Sequence, residues 1–396
     1  MKVVYLIDQA FDERNYDRFG IETWQRRGWA IEVWDITQLA HPAVWQGFIE
    51  SGRPIRPFTG YIQIGSVAHL RQLLSSGASV DCFVDFGGES TAAVWAKIRL
   101  ARQGAIRIIC AVGSAPEGET AASTPGLGNK VRRALHYGFV RTLKWGGGFV
   151  LNRLAAALAP PDLVVASGAE SLRRFARWAG RETIHAHNLD YDLYLRLQAQ
   201  TAADRPPYAL FVDQDLCFHP DYTYDEIPVY VTQDQYFPAM RKGLERLAAQ
   251  LGVAVRVAAH PRSSYEQRVD SFFGPVTIER GVTSELIRDC RCVVGHFSVV
   301  LQMAVLFGKP IIFFTTNQLR RSAMGSSVDR FASELGKSVI NLDENLDRVD
   351  WEQELVVDAE KYAAFRHRHI KMDGSPDRPH WEIVMDWLEP RIQVKS

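Results

Sequence analysis

The chain has 396 residues, 46% of them hydrophobic and 23% charged, and its 46 basic side chains match 46 acidic ones. That balance is ordinary for a globular protein and argues against a generally basic nucleic-acid binder. No apolar run approaches the roughly 18–20 residues of a spanning helix, and five cysteines, mostly in apolar runs, point to a reducing compartment without disulfides.

The start, Met1–Glu13, has one lysine, a short apolar run and then acids, which is unlike a secretory leader. The expectation is a cytoplasmic protein. Val3–Ile7 is a continuous apolar run, the mark of a strand covered on both faces. A helix over Tyr16–Arg27 and a strand over Ala30–Trp34 complete a βαβ unit, hence a parallel sheet. Further strands are predicted at Gly60–Ile64, Cys82–Asp85, Ile106–Ala111, Leu163–Ala166 and Glu182–Ala186. Helices at Val67–Leu74, Ser90–Arg102 and Ala169–Trp178 separate most of them. The polar, proline-containing stretch Thr201–Pro207 reads as a boundary. The theme then repeats: strands at Tyr208–Val212, Val253–Ala259, Cys292–Val294 and Pro310–Thr315, helices at Pro238–Leu251, Thr283–Asp289 and Val299–Phe307. The expectation is an α/β protein of two Rossmann-like domains facing a cleft, 1–203 and 204–376. An amphipathic helix in 377–396 is expected to pack back on the first domain.

Ligands of open α/β sheets bind beyond the carboxyl ends of the strands. The residues following the second domain's strands are therefore the ones to read. They are Asp213-Gln214-Asp215 with Phe218-His219-Pro220-Asp221, then His260-Pro261-Arg262-Ser263, Gly295-His296-Phe297-Ser298 and Thr315-Thr316-Asn317-Gln318. His296 and Ser298 stand where a helix is predicted to open, and free amides there attract phosphate. Ser298 could equally be a plain N-cap, and His260 a strand-end histidine with a satisfied hydrogen bond. Together, on two strands of one sheet, they point to a phosphate site. An imidazole donates to phosphate oxygens and, when protonated, offsets charge on a leaving group. Gly295, Gln214, Pro261, Arg262 and Thr283 complete the candidate donor-binding set.

A strand ending in His-Pro, then a strand–Ser–helix ending in Gly-Lys-Pro before another apolar strand, resembles bacterial GT-B glycosyltransferases. Here it reads Val257 to Ser263, Val293 to Ser298 and Ala304 to Phe313. The resemblance is strongest to surface-polysaccharide enzymes that use CMP-activated acidic sugars: sialyl-, polysialyl- and Kdo transferases. It covers about Tyr208–Thr316, and CDP-glycerol-using teichoic acid polymerases and some UDP-sugar enzymes share a similar pattern. By this resemblance His260 and Ser298 contact the nucleotide phosphate, the donor is nucleotide-linked through CMP, and the acceptor is a surface polysaccharide or lipid-linked glycan. The first domain would take the acceptor. UDP-sugar 2-epimerases use the same architecture, and a non-catalytic sugar-nucleotide-binding partner is a further alternative.

Glycosyl transfer needs a base or a carboxylate nucleophile. Asp213 ends the second domain's first strand, with Asp215 and Asp221 beside it. The alternative for Asp213 is a turn aspartate that caps the next segment. Sialyltransferases carry their base in a D/E-D/E-Gly tripeptide, which this sequence lacks, so the Kdo type fits better. Asp85, Glu89 and Glu170 are the substitutes in the first domain.

No metal site is expected, although His185, His187 and Asp190 have a spacing that could be read as one. No Walker A, GxGxxG, HExxH or GxSxG pattern occurs. Residues 126–158 interleave Lys130, Arg132, Arg133, Arg141, Lys144 and Arg153 with Tyr137, Phe139, Trp145 and Phe149, without an acid. Such a stretch can lie on the inner face of an anionic membrane, or fold as a basic hairpin with its aromatics inward.

Overall fold

A strand without polar alternation needs cover on both faces, which a parallel sheet between helical layers provides. β1 (Lys2–Ile7) meets this condition, with Val3 to Ile7 all 0% exposed. The computed structural model describes all residues except 51, 53, 77–78, 114, 117–152, 154, 202–204, 220–221, 223–227, 262, 264, 266–271, 345 and 395–396. Two units divide the described chain. One holds Met1–Val112, residue 153 to Asp192, and Met372 onward; the other holds Leu193–Lys371 with Gly113, Ala115 and Pro116.

The first unit contains seven parallel strands. Besides β1 they are β2 (Ala30–Asp35), β3 (Tyr61–Gln63), β4 (Cys82–Phe86), β5 (Ile106–Ala111), β6 (Leu163–Ala166) and β7 (Glu182–His185), in the order β3-β2-β1-β4-β5-β6-β7. The second unit contains six parallel strands: β8 (Tyr208–Val212), β9 (Ala254–Ala258), β10 (Thr277–Glu279), β11 (Cys292–Gly295), β12 (Ile311–Thr315) and β13 (Val339–Asn341). Their order is β10-β9-β8-β11-β12-β13. In both sheets the first strand is central and the chain winds outward to either side of it. The topological switch points therefore lie between β1 and β4 and between β8 and β11.

The sequence predicts one helix over Tyr16–Arg27, but the structure has two, Glu13–Arg18 and Ile21–Arg26, parted at Gly20. Gly20 adopts φ +59°, and a Cβ there would lie 2.3 Å from Trp381 Cδ1. The break is made by the indole of the C-terminal helix His380–Gln393, which is part of the first unit. Trp381 is 0% exposed, donates to the Arg18 carbonyl at 2.7 Å, and meets the Tyr5 ring edge-on. Arg27 ties the same helix down through Asp386 and Glu389, at 3.0 and 2.7 Å.

The basic, aromatic stretch 126–158 falls almost wholly outside the described residues, as do Gly146–Gly148. Among the described residues no helix is long and apolar enough to cross a membrane.

Candidate functional site

Asp213 is the first residue past β8, and the structure buries it at 3% exposure. Its Oδ1 accepts the Asp215 amide at 3.0 Å and its Oδ2 the His260 amide at 3.2 Å. The Asp213 amide in turn donates to the Ala258 carbonyl at 3.0 Å. One carboxylate thus fastens the end of β8 to the end of β9. Burial raises its pKa, against the lowering effect of these amides and the Tyr265 hydroxyl. This is the hydrogen bonding of a turn aspartate. Asp215, two residues on, is buried with φ +51°, a left-handed conformation that a non-glycine residue adopts only where its surroundings enforce it.

His260 is half-buried at the end of β9. Its carbonyl accepts the Ser263 amide and hydroxyl at 3.0 and 2.8 Å, and the Arg280 guanidinium at 2.6 Å. Arg280 also donates to the Ser263 carbonyl at 2.9 Å, which makes the His-Pro turn rigid. The His219 ring lies beside the His260 ring, with centroids 4.9 Å apart. Pro261 is exposed, and Arg262 and Asp221 lie outside the described residues.

Across the switch point, the Gln214 side chain grips the turn after β11. Its Oε1 accepts the Phe297 amide at 2.9 Å and its Nε2 donates to the Phe297 carbonyl. This pairing brings the ends of β8 and β11 together and fixes Gly295 to Ser298. Gly295 packs close to Leu301, where an added Cβ would lie 3.0 Å from Cδ2 and the leucine side chain would have to shift. Ser298 is half-buried, but the helix begins later than the sequence predicts, at Leu301. Residues 298–300 form a turn whose carbonyls accept the amides of Leu301, Gln302 and Met303. With six residues, Leu301–Leu306 is too short for its dipole to matter much, so what Ser298 offers is chiefly its hydroxyl.

His296 takes a different place from the one a phosphate ligand needs. Its ring is 0% exposed, Nδ1 lies 2.7 Å from the Phe314 carbonyl, and Nε2 lies 2.8 Å from the Tyr236 hydroxyl. A carbonyl only accepts, so Nδ1 carries the proton and Nε2 accepts from tyrosine. Burial pushes the imidazole down to about 4, so the ring is neutral. Thr283 opens the short helix Thr283–Asp289 and is half-buried, just after Gly281 at φ +81°.

No protein-family model matches the chain, and no curated protein matches it in sequence. Solved structures do share its architecture. The glycotransferase of kitacinnamycin is 14% identical, with 99% of each chain covered and a TM-score of 0.53. The wall teichoic acid polymerase TagF is 12% identical, covering 100% of this chain and 90% of that one, with a TM-score of 0.55. The UDP-GlcNAc 2-epimerase of Methanocaldococcus jannaschii is 11% identical, covering 98% and 100%, with a TM-score of 0.54. The fold is the GT-B fold.

In the first GT-B unit, the carboxylates named from the sequence have varied surroundings. Asp85 is a buried ion-pair partner, 3.0 Å from Lys97 and 2.5 Å from Arg107. Glu170 pairs with Arg173 at 2.5 Å, and Glu89 is exposed on the turn after β4. The residues read as a metal set do not converge. His185 is exposed, both His187 nitrogens face backbone carbonyls at 3.0 and 2.8 Å, and Asp190 binds Arg18 at 2.5 Å.

Sequence reading missed two residues that shape the second-unit site, Arg280 and Tyr236. His219, already singled out in the stretch after β8, repeats the His-Pro dipeptide of 260–261. Arg280 and Tyr236 act on backbone and on a buried ring from distant positions, and carry no local signal.

Proposed function

We propose that the protein is a metal-independent glycosyltransferase of GT-B architecture that uses a nucleotide-sugar donor. The second unit would hold the donor at the ends of β8, β9 and β11, and the first would take the acceptor. The observation that carries this reading is the joining of the His260 and Ser298 turns at the switch point, through Asp213 and Gln214. A phosphate there would meet an imidazole and a hydroxyl on backbone already fixed before binding, which favours charge on a leaving group without reorganisation. On the motif resemblance the donor is CMP-linked, of the Kdo or related nonulosonate type. The acceptor is then a bacterial surface polysaccharide or lipid-linked glycan, with the stretch 126–158 as the contact to the membrane.

The test is a thermal-shift series with CMP, CDP, UDP and GDP. A ligand at 100 times its Kd adds about 2.7 kcal/mol to stability, a shift of several degrees. CMP is expected to stabilise most. Equal or larger stabilisation by UDP removes the CMP assignment, and no stabilisation by any nucleotide removes the donor site. Turnover is expected to survive EDTA. The fold shared with an epimerase and a teichoic acid polymerase favours a second reading. Conversion of UDP-GlcNAc without an acceptor, or release of CMP from CDP-glycerol, would select it.

A further inference from the structure

The second unit carries two His-Pro dipeptides, at 219–220 and at 260–261. They follow neighbouring strands, since β8 and β9 pair in parallel with Val212 opposite Ala258. The motif resemblance uses only the second of them. The fold brings their histidines together: the two imidazole centroids lie 4.9 Å apart, with the ring planes at 57°, and both residues are half-buried.

The turn that carries His219 is built as firmly as the one that carries His260. Asp215, in its left-handed conformation, reverses the chain, and its carbonyl accepts the Phe218 amide at 2.9 Å. Tyr222 closes the other side. Its amide donates to the His219 carbonyl at 3.1 Å, and its hydroxyl donates to the Leu216 carbonyl at 2.7 Å. The Phe218 ring lies against Phe237 and Phe272, with centroids 6.2 and 6.0 Å away, so the residue before His219 is anchored on the apolar core. Asp213 serves both turns, with one oxygen on the Asp215 amide and the other on the His260 amide. A single buried carboxylate therefore fixes the backbone that sets both rings side by side. An imidazole keeps at least one N–H donor in either charge state, so the pair offers two donors at one place. Two rings this close repel each other when both are protonated, and an anion beside them removes that penalty.

We propose that His219 is a second histidine ligand of the donor phosphate, paired with His260. The proposal rests on the donor-site reading above. A phosphate presents several oxygens, so one group takes an N–H from each ring, and Ser298 adds its hydroxyl from the turn after β11. The ligand class is a nucleotide held through its phosphate. His219 acts on that contact, and the ring packing between the histidines is only what brings them together.

The experiment measures the Kd of the full chain for CMP and UDP by calorimetry, and follows whichever of the two the wild type binds more tightly. H219F keeps an aromatic ring beside His260 but has no N–H to donate. It is expected to lower the affinity about tenfold or more, while H219Q, which restores a donor, loses less. A packing role alone would give the reverse order, since phenylalanine keeps the ring and glutamine does not. Nitrogen-correlated NMR of the imidazoles in the wild type provides a second measurement that needs no variant to fold. The His219 and His260 rings are both expected to shift on addition of the nucleotide, and to stay in place on addition of the matching nucleoside. Affinity of H219F within about twofold of wild type, or a His219 ring that does not respond to nucleotide, overturns the assignment while the donor site stands. Absence of nucleotide binding by the wild type overturns the donor-site reading, and the role of His219 with it.

Discussion

Asp213 faces two backbone amides, one at each carboxylate oxygen. Asn at this position has a single oxygen, so its amide nitrogen must face an N–H. We expect Asp213→Asn to cost about 1–3 kcal/mol in urea unfolding, the usual penalty for a buried group left unmatched. It should also loosen the His260 turn and weaken nucleotide binding. His260→Ala and Ser298→Ala remove contacts rather than supports. Each should cost nucleotide affinity about one to two decades, with the unfolding midpoint little changed. Wild-type affinity in both would place the donor phosphate elsewhere. Two buried histidines set an acid limit. Burial holds His296 at about 4 and His380 at about 3, below the 6.5 of an unfolded chain. Between those values and 6.5 the unfolded state binds more protons than the folded one. Stability is therefore full above about 6.5 and falls as pH drops, by up to about 1.4 kcal/mol per unit for each ring. Urea midpoints at pH 7, 6 and 5 check this, and His296→Gln should flatten the slope. At this scale the sequence was legible where chemistry stands next to a strand end. His260, Ser298 and Asp213 could all be found that way. It was not legible where a side chain's partner is distant: nothing local separates His296, sealed under Tyr236, from His260, open beside His219.

Elements were legible in proportion to the length of their apolar run. β1, β5, β8 and β12 each carry four or more buried residues in a row and are predicted within a residue or two. β10 and β13 are three-residue edge strands and were missed, whereas the equally short edge strand β3 was predicted at Gly60–Ile64. The split helix at Gly20 was missed for another reason. The residues around it have good helical periodicity, and the cause of the break lies in the C-terminal helix. A tertiary contact overrides local preference there. Trp381→Ala should cost about 3–5 kcal/mol, as for other buried aromatic truncations, measured by urea unfolding. Gly20→Ala should also destabilise, through both the positive φ and the clash with the indole. A neutral Gly20→Ala would mean that the indole does not hold the break open.

For the whole molecule, the alternation of strands and helices made the two α/β units legible, and the shared winding order of their sheets follows the usual rules for parallel connections. From the sequence, the amphipathic tail 377–396 is expected to pack back on the first domain, but the residues it meets there, such as Arg18 and Gly20, carry no local signal. Two expectations belong at this scale. Nucleotide should slow amide exchange at the ends of β8, β9 and β11 and leave β1–β7 unchanged; protection spread equally over both units would contradict a donor site confined to one. Removal of residues 377–396 should raise exchange in β1, β2 and the helix Ile21–Arg26 first. Since Arg18 and Trp381 are 363 residues apart, the seam between them also has a history. At roughly 5–20 residues per second, the ribosome needs about 20–70 s to travel from one to the other. During that interval Tyr5, Phe19 and Trp24 lack their last covering side chain, while the whole second unit is made and can fold. The seam around β1 is therefore closed only after the whole second unit has been made.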